Sequence, residues 1–304
     1  APSPAPTLAP TLAPSPAPTL APTLTPSPAP TLAPTLAPSP APTLATNITS
    51  SANQIPTTAV VPEPTSASNN ELTIRWHVMN ESQSWESNSS PPECGDIDEL
   101  FTIFPVGINN LTQFARPGRL GTGNYDDAVY IAHGALRTDN SSHAEQPVKF
   151  PAKGFSLASA AQRFESRYSD SAQIKLEFIH PCGLQVRIDH LNSLTDKWSE
   201  ILKDLPLNED SSSRITFFPQ GVHFVSEGEL LSYGIGHPTN VYLDFGVYDL
   251  RSKNNVHEYI FNEWPEYIGQ GDYGICWVGL FGSEIESALQ SLPPGANPDS
   301  DYCD

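Results

Sequence analysis

The hydrophobic positions of this chain follow two regimes that meet near residue 70. Beyond it they form short alternating runs: Leu72, Ile74, Trp76 and Val78 on one face, then 101–106, 129–133, 174–180, 184–190, 214–218, 222–225 and 240–247. A period of two sends successive side chains to opposite faces of a strand. Runs of this length, separated by Gly, Pro and Asn, predict antiparallel sheets in a sandwich or hybrid barrel. One stretch breaks the rule: in 193–205 (SLTDKWSEILKDL), Leu194, Trp198, Ile201, Leu202 and Leu205 recur at helical spacing and predict an amphipathic helix. Shorter helices are expected at 256–263 and at 283–292, where Ile285, Leu289 and Leu292 share a face. The expected class is mainly β with helical insertions.

Residues 1–46 show neither period. They repeat APSPAPTLAPTL with a period of twelve and hold 15 of the 32 prolines but no ionisable side chain. Proline fixes φ, lacks the backbone donor and pushes the residue before it into the extended region, which excludes helix and sheet and leaves polyproline II. At about 3.1 Å per residue such an arm could extend on the order of 140 Å. Because twelve is a multiple of three, Leu8, Leu20 and Leu32 fall on one face and Leu12, Leu24 and Leu36 on the next, as two apolar stripes. Residues 47–70 are a Ser/Thr/Asn/Pro linker. Residues 71–304 are the part able to fold around a core.

The arm suits a semi-rigid spacer, but its Ala-Pro, Ser-Pro and Thr-Pro pairs resemble the hydroxyproline-rich glycoproteins of plant and algal walls, of the arabinogalactan and extensin type. That resemblance implies hydroxylated prolines bearing O-linked glycans, which would stiffen and hydrate the rod. Leu is the residue a plain spacer has least use for, so the stripes point to an assembly element.

Charge narrows the partners. With 15 basic against 34 acidic side chains the formal charge is −19, which argues against nucleic acid and against an anionic membrane surface, since both are bound by Lys and Arg. Cations or neutral wall polysaccharide are the expected company. No run approaches the roughly 18–20 apolar residues that cross a bilayer. A first residue Ala1 rather than Met suggests a removed signal peptide and hence secretion. Asn47, Asn80, Asn88, Asn110 and Asn140 each open an N-glycosylation acceptor triplet. Cys94, Cys182, Cys276 and Cys303 form no CxxC, so two disulfides in an oxidising compartment are expected rather than a metal knuckle. Three pairings are open; the short separation of Cys276 and Cys303 favours that pair, leaving Cys94 with Cys182.

Candidate chemistry comes from five stretches: 129–134 (VYIAHG), 147–154 (PVKFPAKG), 174–191 (IKLEFIHPCGLQVRIDHL), 225–231 (VSEGELL) and 241–251 (VYLDFGVYDLR). In order and spacing, over roughly 100–251, they resemble the lysostaphin-type zinc endopeptidases. That family has a His-containing strand, a Tyr-x-His-Leu element, a V-x-x-G turn and a strand carrying His-x-His. The resemblance implies a metal site at His133 and at Tyr242 to Asp244, with His190 at the catalytic histidine. The ligands differ: Tyr242 and Asp244 replace the two imidazoles of His-x-His, and Arg137 replaces the Asp four residues after the first His. Asp139 could serve only with a shifted register. A zinc site needs three converging protein donors and an open position. The expectation is a degenerate domain with no catalytic residue, no metal and no cofactor.

Other chemistry is sparse. There is no Gly-x-Ser-x-Gly elbow, phosphate loop or His-Glu-x-x-His. The acids Asp96, Asp98 and Glu99, and Asp126 with Asp127, lack the calcium-loop pattern. Tyr259, Trp264, Tyr267, Tyr273 and Trp277 could stack on sugar rings or belong to the core. Joined, the two halves suggest a secreted structural glycoprotein whose arm binds copies of itself in a filament. The alternative is a secreted cell-wall hydrolase or polysaccharide-binding module tethered by the arm.

Overall fold

The computed structural model describes residues 74–79, 84–121, 129–138, 145–164, 172–209, 215–238, 240–256, 270–295 and 299–303. The proline-rich arm with its leucines, the linker, residues 257–263 of the helix predicted at 256–263, Asp126, Asp127 and Asp139, and the acceptors Asn47, Asn80 and Asn140 lie outside the described residues. The chain divides between Ser66 and Ala67, and every described residue belongs to the second part.

That part is mainly β. Strands β1 (Trp76–Val78) and β2 (Trp85–Ser87) pair with each other, as do β4 (Arg119–Gly121) and β5 (Val129–Ile131). One larger sheet has ten strands. Its main path combines β3 (Gln113–Ala115), β6 (Gly134–Arg137), β8 (Ser156–Phe164), β9 (Ala172–Ile179), β10 (Leu184–Leu194), β11 (Leu207–Glu209) and β14 (Tyr242–Asp249) in the order β11-β8-β9-β10-β14-β6-β3. β12 (Thr216–Phe217) joins β8, and β13 (Leu230–Ile235) links β10 to β7 (Val148–Lys149). All these pairings are antiparallel except that of β11 with β8.

β10 is the spine because it lies between β9 and β14 with apolar side chains buried against both. Val186 faces Phe178 and Val247 across the ladders, and Ile188 faces Leu176 and Phe245. All six are at most 1% exposed, each contributing about 1.5–3 kcal/mol of apolar burial. The predicted amphipathic helix is α1 (Asp196–Ile201), shorter than its periodicity, and it buries Trp198 edge-on against Phe178 at 5.4 Å between ring centres. The expected C-terminal helix is α2 (Ser283–Ser291), which buries Leu289. Cys94 pairs with Cys182 and Cys276 with Cys303.

Several sequence expectations change. The run 101–106 forms no strand; Phe101 makes one bridge to Ala152, and the amides of Thr102 and Ile103 both donate to the Pro151 carbonyl. Pro105 could not have donated to a ladder. Trp76 is buried but Val78 is 37% exposed, so β1 does not keep the alternating run on one covered face. The run 222–225 yields only a bridge from Phe224 to Ser156. Conversely, β8 has no alternation to announce it. Its residues from Ser156 to Ala161 are all buried, because Ala and Ser fit against both faces.

Candidate functional site

The ladder register brings distant residues to one place. Asp189 on β10 lies opposite Asp244 on β14, and Asp244 in turn lies opposite Ala135 on β6, two residues beyond His133. Gly134 permits the approach: a Cβ there would sit 2.6 Å from Trp277 Cζ2 and 3.0 Å from the Ala115 carbonyl oxygen.

β10 is irregular where the site forms. Its register with β9 shifts between Ile188 and Leu191, and inside the shift His190 has φ 68°. A non-glycine residue in the left-handed region carries strain of order 1 kcal/mol and needs its surroundings to hold it. Here the His190 amide donates to Asp189 Oδ1 at 2.7 Å, and its carbonyl accepts from the Gly236 amide at 2.7 Å. Asn192 Nδ2 donates to the Gly236 carbonyl at 2.9 Å. Gly236 itself has φ +63°, and a Cβ there would lie 2.4 Å from the Asn240 carbonyl oxygen. The turn into β14 therefore clamps the bulge and aims the His190 ring at Asp244.

The result is two imidazoles on one carboxylate oxygen: Asp244 Oδ2 lies 2.9 Å from His133 Nε2 and 3.2 Å from His190 Nε2. The other His190 nitrogen, Nδ1, is hydrogen-bonded to Gln173 Oε1. Asp189 Oδ2 accepts from Arg187 Nη2 at 2.9 Å. Arg119 Nη1 donates to the carbonyls of Arg116 at 2.6 Å and His133 at 2.5 Å, fixing the segment that carries His133. The Tyr242 ring packs on His190 with 4.1 Å between centres, and Arg137 lies over Tyr242.

Electrostatics separates the two histidines. Burial would lower both. For His190 it is outweighed by Asp189 and Asp244, so its pKa is raised above 6.5; for His133 burial wins over the attraction of Asp244, assisted by Arg187, and the pKa is lowered. Burial opposes ionisation of the carboxyls, yet His133 and His190 hold Asp244 well below 3.8, and His190 with Arg187 hold Asp189 at about 2. Around pH 6.5 the ground state is two carboxylates, a protonated His190 and a neutral His133, with Arg187 balancing Asp189.

Zinc, implied by the resemblance, can be tested against these donors. Asp189, His190 and Asp244 each bring a donor atom within 4.8 Å of the others, so proximity alone would allow an ion. The same atoms are engaged with one another within the fold: His190 Nδ1 with Gln173 and Nε2 with Asp244. Asp189 is held by Arg187 and by a backbone amide, and burial does not separate Arg119 from Asp244, whose charge it feels. His133, whose Nε2 lies 2.9 Å from Asp244 Oδ2, is a further donor beside this group.

Compared with protein-family models, curated proteins and solved structures, the chain matches none.

The structure thus collects His133, His190, Tyr242 and Asp244. Sequence reasoning missed Gln173, Arg187, Asp189 and Arg119. Arg187 and Asp189 alternate with Val186 and Ile188 in a strand flanked on both sides, and that is the signal that could have found them. Of the aromatic-rich stretch, Tyr273 and Trp277 are 2% and 0% exposed and belong to the core, not to a sugar platform; Tyr259, Trp264 and Tyr267 lie outside the described residues. Asp96 caps the short helical turn Ile97–Glu99, accepting from the Asp98 amide at 3.2 Å. The acceptors Asn88 and Asn110 are both exposed.

Proposed function

We propose that this protein is a secreted structural glycoprotein, a subunit of an extracellular fibril, appendage or wall. A peptidase-like domain without catalytic activity carries a glycosylated polyproline arm used for assembly. The observation that carries the reading is the sharing of Asp244 by His133 and His190 where the resemblance expects a metal. Charges that would hold an ion there already balance one another. Two disulfides and two exposed acceptor asparagines fit an extracellular setting, and the branched ten-stranded sheet is read as the two-layered hybrid barrel of the peptidase-like scaffold. O-linked glycans on the arm complete the picture.

The test is made on purified full-length protein. Elemental analysis should find no stoichiometric zinc, and wall peptides should remain uncut. Electron microscopy should show filaments that disappear when residues 1–46 are removed. One tightly held zinc, with cleavage lost in His190→Ala, would overturn the reading. The competing one, a secreted wall hydrolase or polysaccharide-binding module with the arm as tether, is favoured by the backbone strain at His190, since such strain clusters at catalytic sites. The same assays separate the two.

A further inference from the structure

Away from the charged centre, a groove of about 570 Å³ opens where the described chain begins. Ile74, the first described residue, lines it together with Pro91, Pro92, Ile179, Pro181 and Phe224, and the other four lining residues are two serines, a glutamine and a glycine. Among the described residues no ionisable side chain lines it, in a chain of net charge −19. Three of the exposed large hydrophobic residues sit within one eight-residue segment at its edge: Phe217 is 77% exposed, Val222 57% and Phe224 58%.

This surface is held in place before any ligand arrives. Gln220 brackets Trp76, accepting from its amide at 2.9 Å and donating to its carbonyl at 2.8 Å, and the Trp76 indole donates to the Pro181 carbonyl at 2.9 Å. Backbone bonds from Leu157 to His223 and from Val225 to Phe155 fix the residues on either side of Phe224. The Cys94–Cys182 disulfide ties the segment after Pro91 and Pro92 to the one after Pro181. Such preorganisation lowers the ordering cost of binding.

We propose that this groove receives the proline-rich repeat of a second copy of the chain, an inference that rests on the assembly reading above and names the surface it uses. The occupant is chosen on charge and form. A neutral, apolar groove rimmed by an aromatic suits an extended segment that has no charge to desolvate and no internal hydrogen bonds to break, as polyproline ligands do in aromatic-lined grooves. Residues 1–46 are such a segment, without an ionisable side chain and with Leu at fixed faces. Each chain carries more than three repeats, so whichever repeat this groove takes, others remain for further copies to hold. Contacts of this head-to-tail kind do not close and generate filaments.

The experiment uses the full chain in three forms: unmodified; Phe224→Ser with an intact arm; and a chain with Leu8, Leu12, Leu20, Leu24, Leu32 and Leu36 changed to Ser and an intact groove. Sedimentation velocity over a hundredfold concentration range is expected to show growing assemblies of the first and monomers of each variant. Mixing the two variants should restore pairing without extended growth, because the arm of one meets the groove of the other. A synthetic APSPAPTLAPTL peptide should dissolve the assemblies of the unmodified chain. If the Phe224→Ser chain assembles as well as the unmodified one, the groove is not the contact and this proposal falls while the assembly reading stands. If the unmodified chain stays monomeric throughout, the assembly reading itself falls, and this proposal with it. If both variants are monomeric but do not pair when mixed, the second-copy occupant is overturned.

Discussion

The charged centre between β10 and β14 and the groove beside Ile74 are built from opposite materials. In the centre, Asp189 and Asp244 are engaged by Arg187, His133 and His190 at 2.9–3.2 Å, and the strained backbone of His190 is held by its amide bond to Asp189 and its carbonyl bond from Gly236. Among the described residues the groove is lined by no charge, and of its polar lining residues Gln220 is turned onto Trp76 and Ser156 Oγ accepts from the Gly221 amide at 2.8 Å. A surface binds what it leaves unsatisfied. Buried charges already paired in the fold offer little to a newcomer, whereas exposed apolar area clustered in one segment gains free energy when covered. On the proposed reading, the charged centre serves the fold and the groove serves the contact between copies.

The largest expected effect strikes the frame of the groove. The Cys94–Cys182 bond closes a separation of 88 residues, and the loop-entropy model assigns such a closure about 4.5 kcal/mol. Replacing both cysteines by Ser should lower stability by about that amount in urea denaturation. The Cys276–Cys303 bond, with a separation of 27, should cost about 3.5 kcal/mol. An equal loss of stability at both bonds, or a larger one at the shorter loop, would mean that native contacts and not loop length govern the two ends.

Asp244→Ala follows, attacking the centre. It leaves the half-buried His133 without its carboxylate and His190 with Asp189 alone, and breaking one side of a buried charge pair costs about 3–5 kcal/mol. The pH profile sharpens the point. His190 has a raised folded pKa, so its stabilisation is complete below 6.5 and is lost as pH rises through the folded value. His133 has a lowered one, so its contribution is complete above 6.5 and is lost as pH falls toward the folded value. The two windows adjoin at 6.5, so on their account the unmodified chain is most stable near that pH. His133→Gln should leave only the decline with rising pH, and His190→Gln only the decline with falling pH. Asp189, at about 2, contributes stability above 3.8 that fades as pH falls toward 2.

Gly134→Ala tests how closely the centre depends on packing beneath it. A methyl group would meet Trp277 and the Ala115 carbonyl, and backbone cannot yield as a flexible side chain can. Overpacking of this kind costs about 1–3 kcal/mol, and the His133 resonances should shift with β6. Unchanged His133 resonances would show that the centre is anchored by its hydrogen bonds alone.

How much of this was legible follows from what sequence periodicity reports. The strands β9, β10 and β14 announced themselves because each alternates large apolar residues, and Trp198 was read correctly as the inward face of a helix. β8 was silent, since the five Ser and Ala residues around Leu157 in 156–161 carry no contrast between faces although all six positions are buried. For the centre, His133, His190, Tyr242 and Asp244 were found through a resemblance in spacing. Gln173, Arg187, Asp189 and Arg119 were not, because their roles arise from ladder register and a one-residue bulge, which no local pattern encodes. The groove was invisible for a related reason: its walls come from residues near 74, 91, 180 and 224, brought together by a disulfide and by Gln220.

The smallest expected effect is also the sharpest comparison between neighbours. On β12 and just beyond it, Phe217 and Phe218 are adjacent and so point to opposite sides. Phe217 is 77% exposed, whereas Phe218 packs against the main core and meets His223 edge-on at 5.9 Å between ring centres. If stability resides where side chains are buried, Phe217→Ser should change the free energy of unfolding by no more than about 0.5 kcal/mol. Phe218→Ser should cost several times as much, on the order of 2 kcal/mol. Urea denaturation at a concentration where the chain is monomeric measures both. A loss of more than about 1 kcal/mol on Phe217→Ser would mean that this ring is covered within the single chain, and the contrast between a satisfied centre and an unsatisfied groove edge would then have to be redrawn.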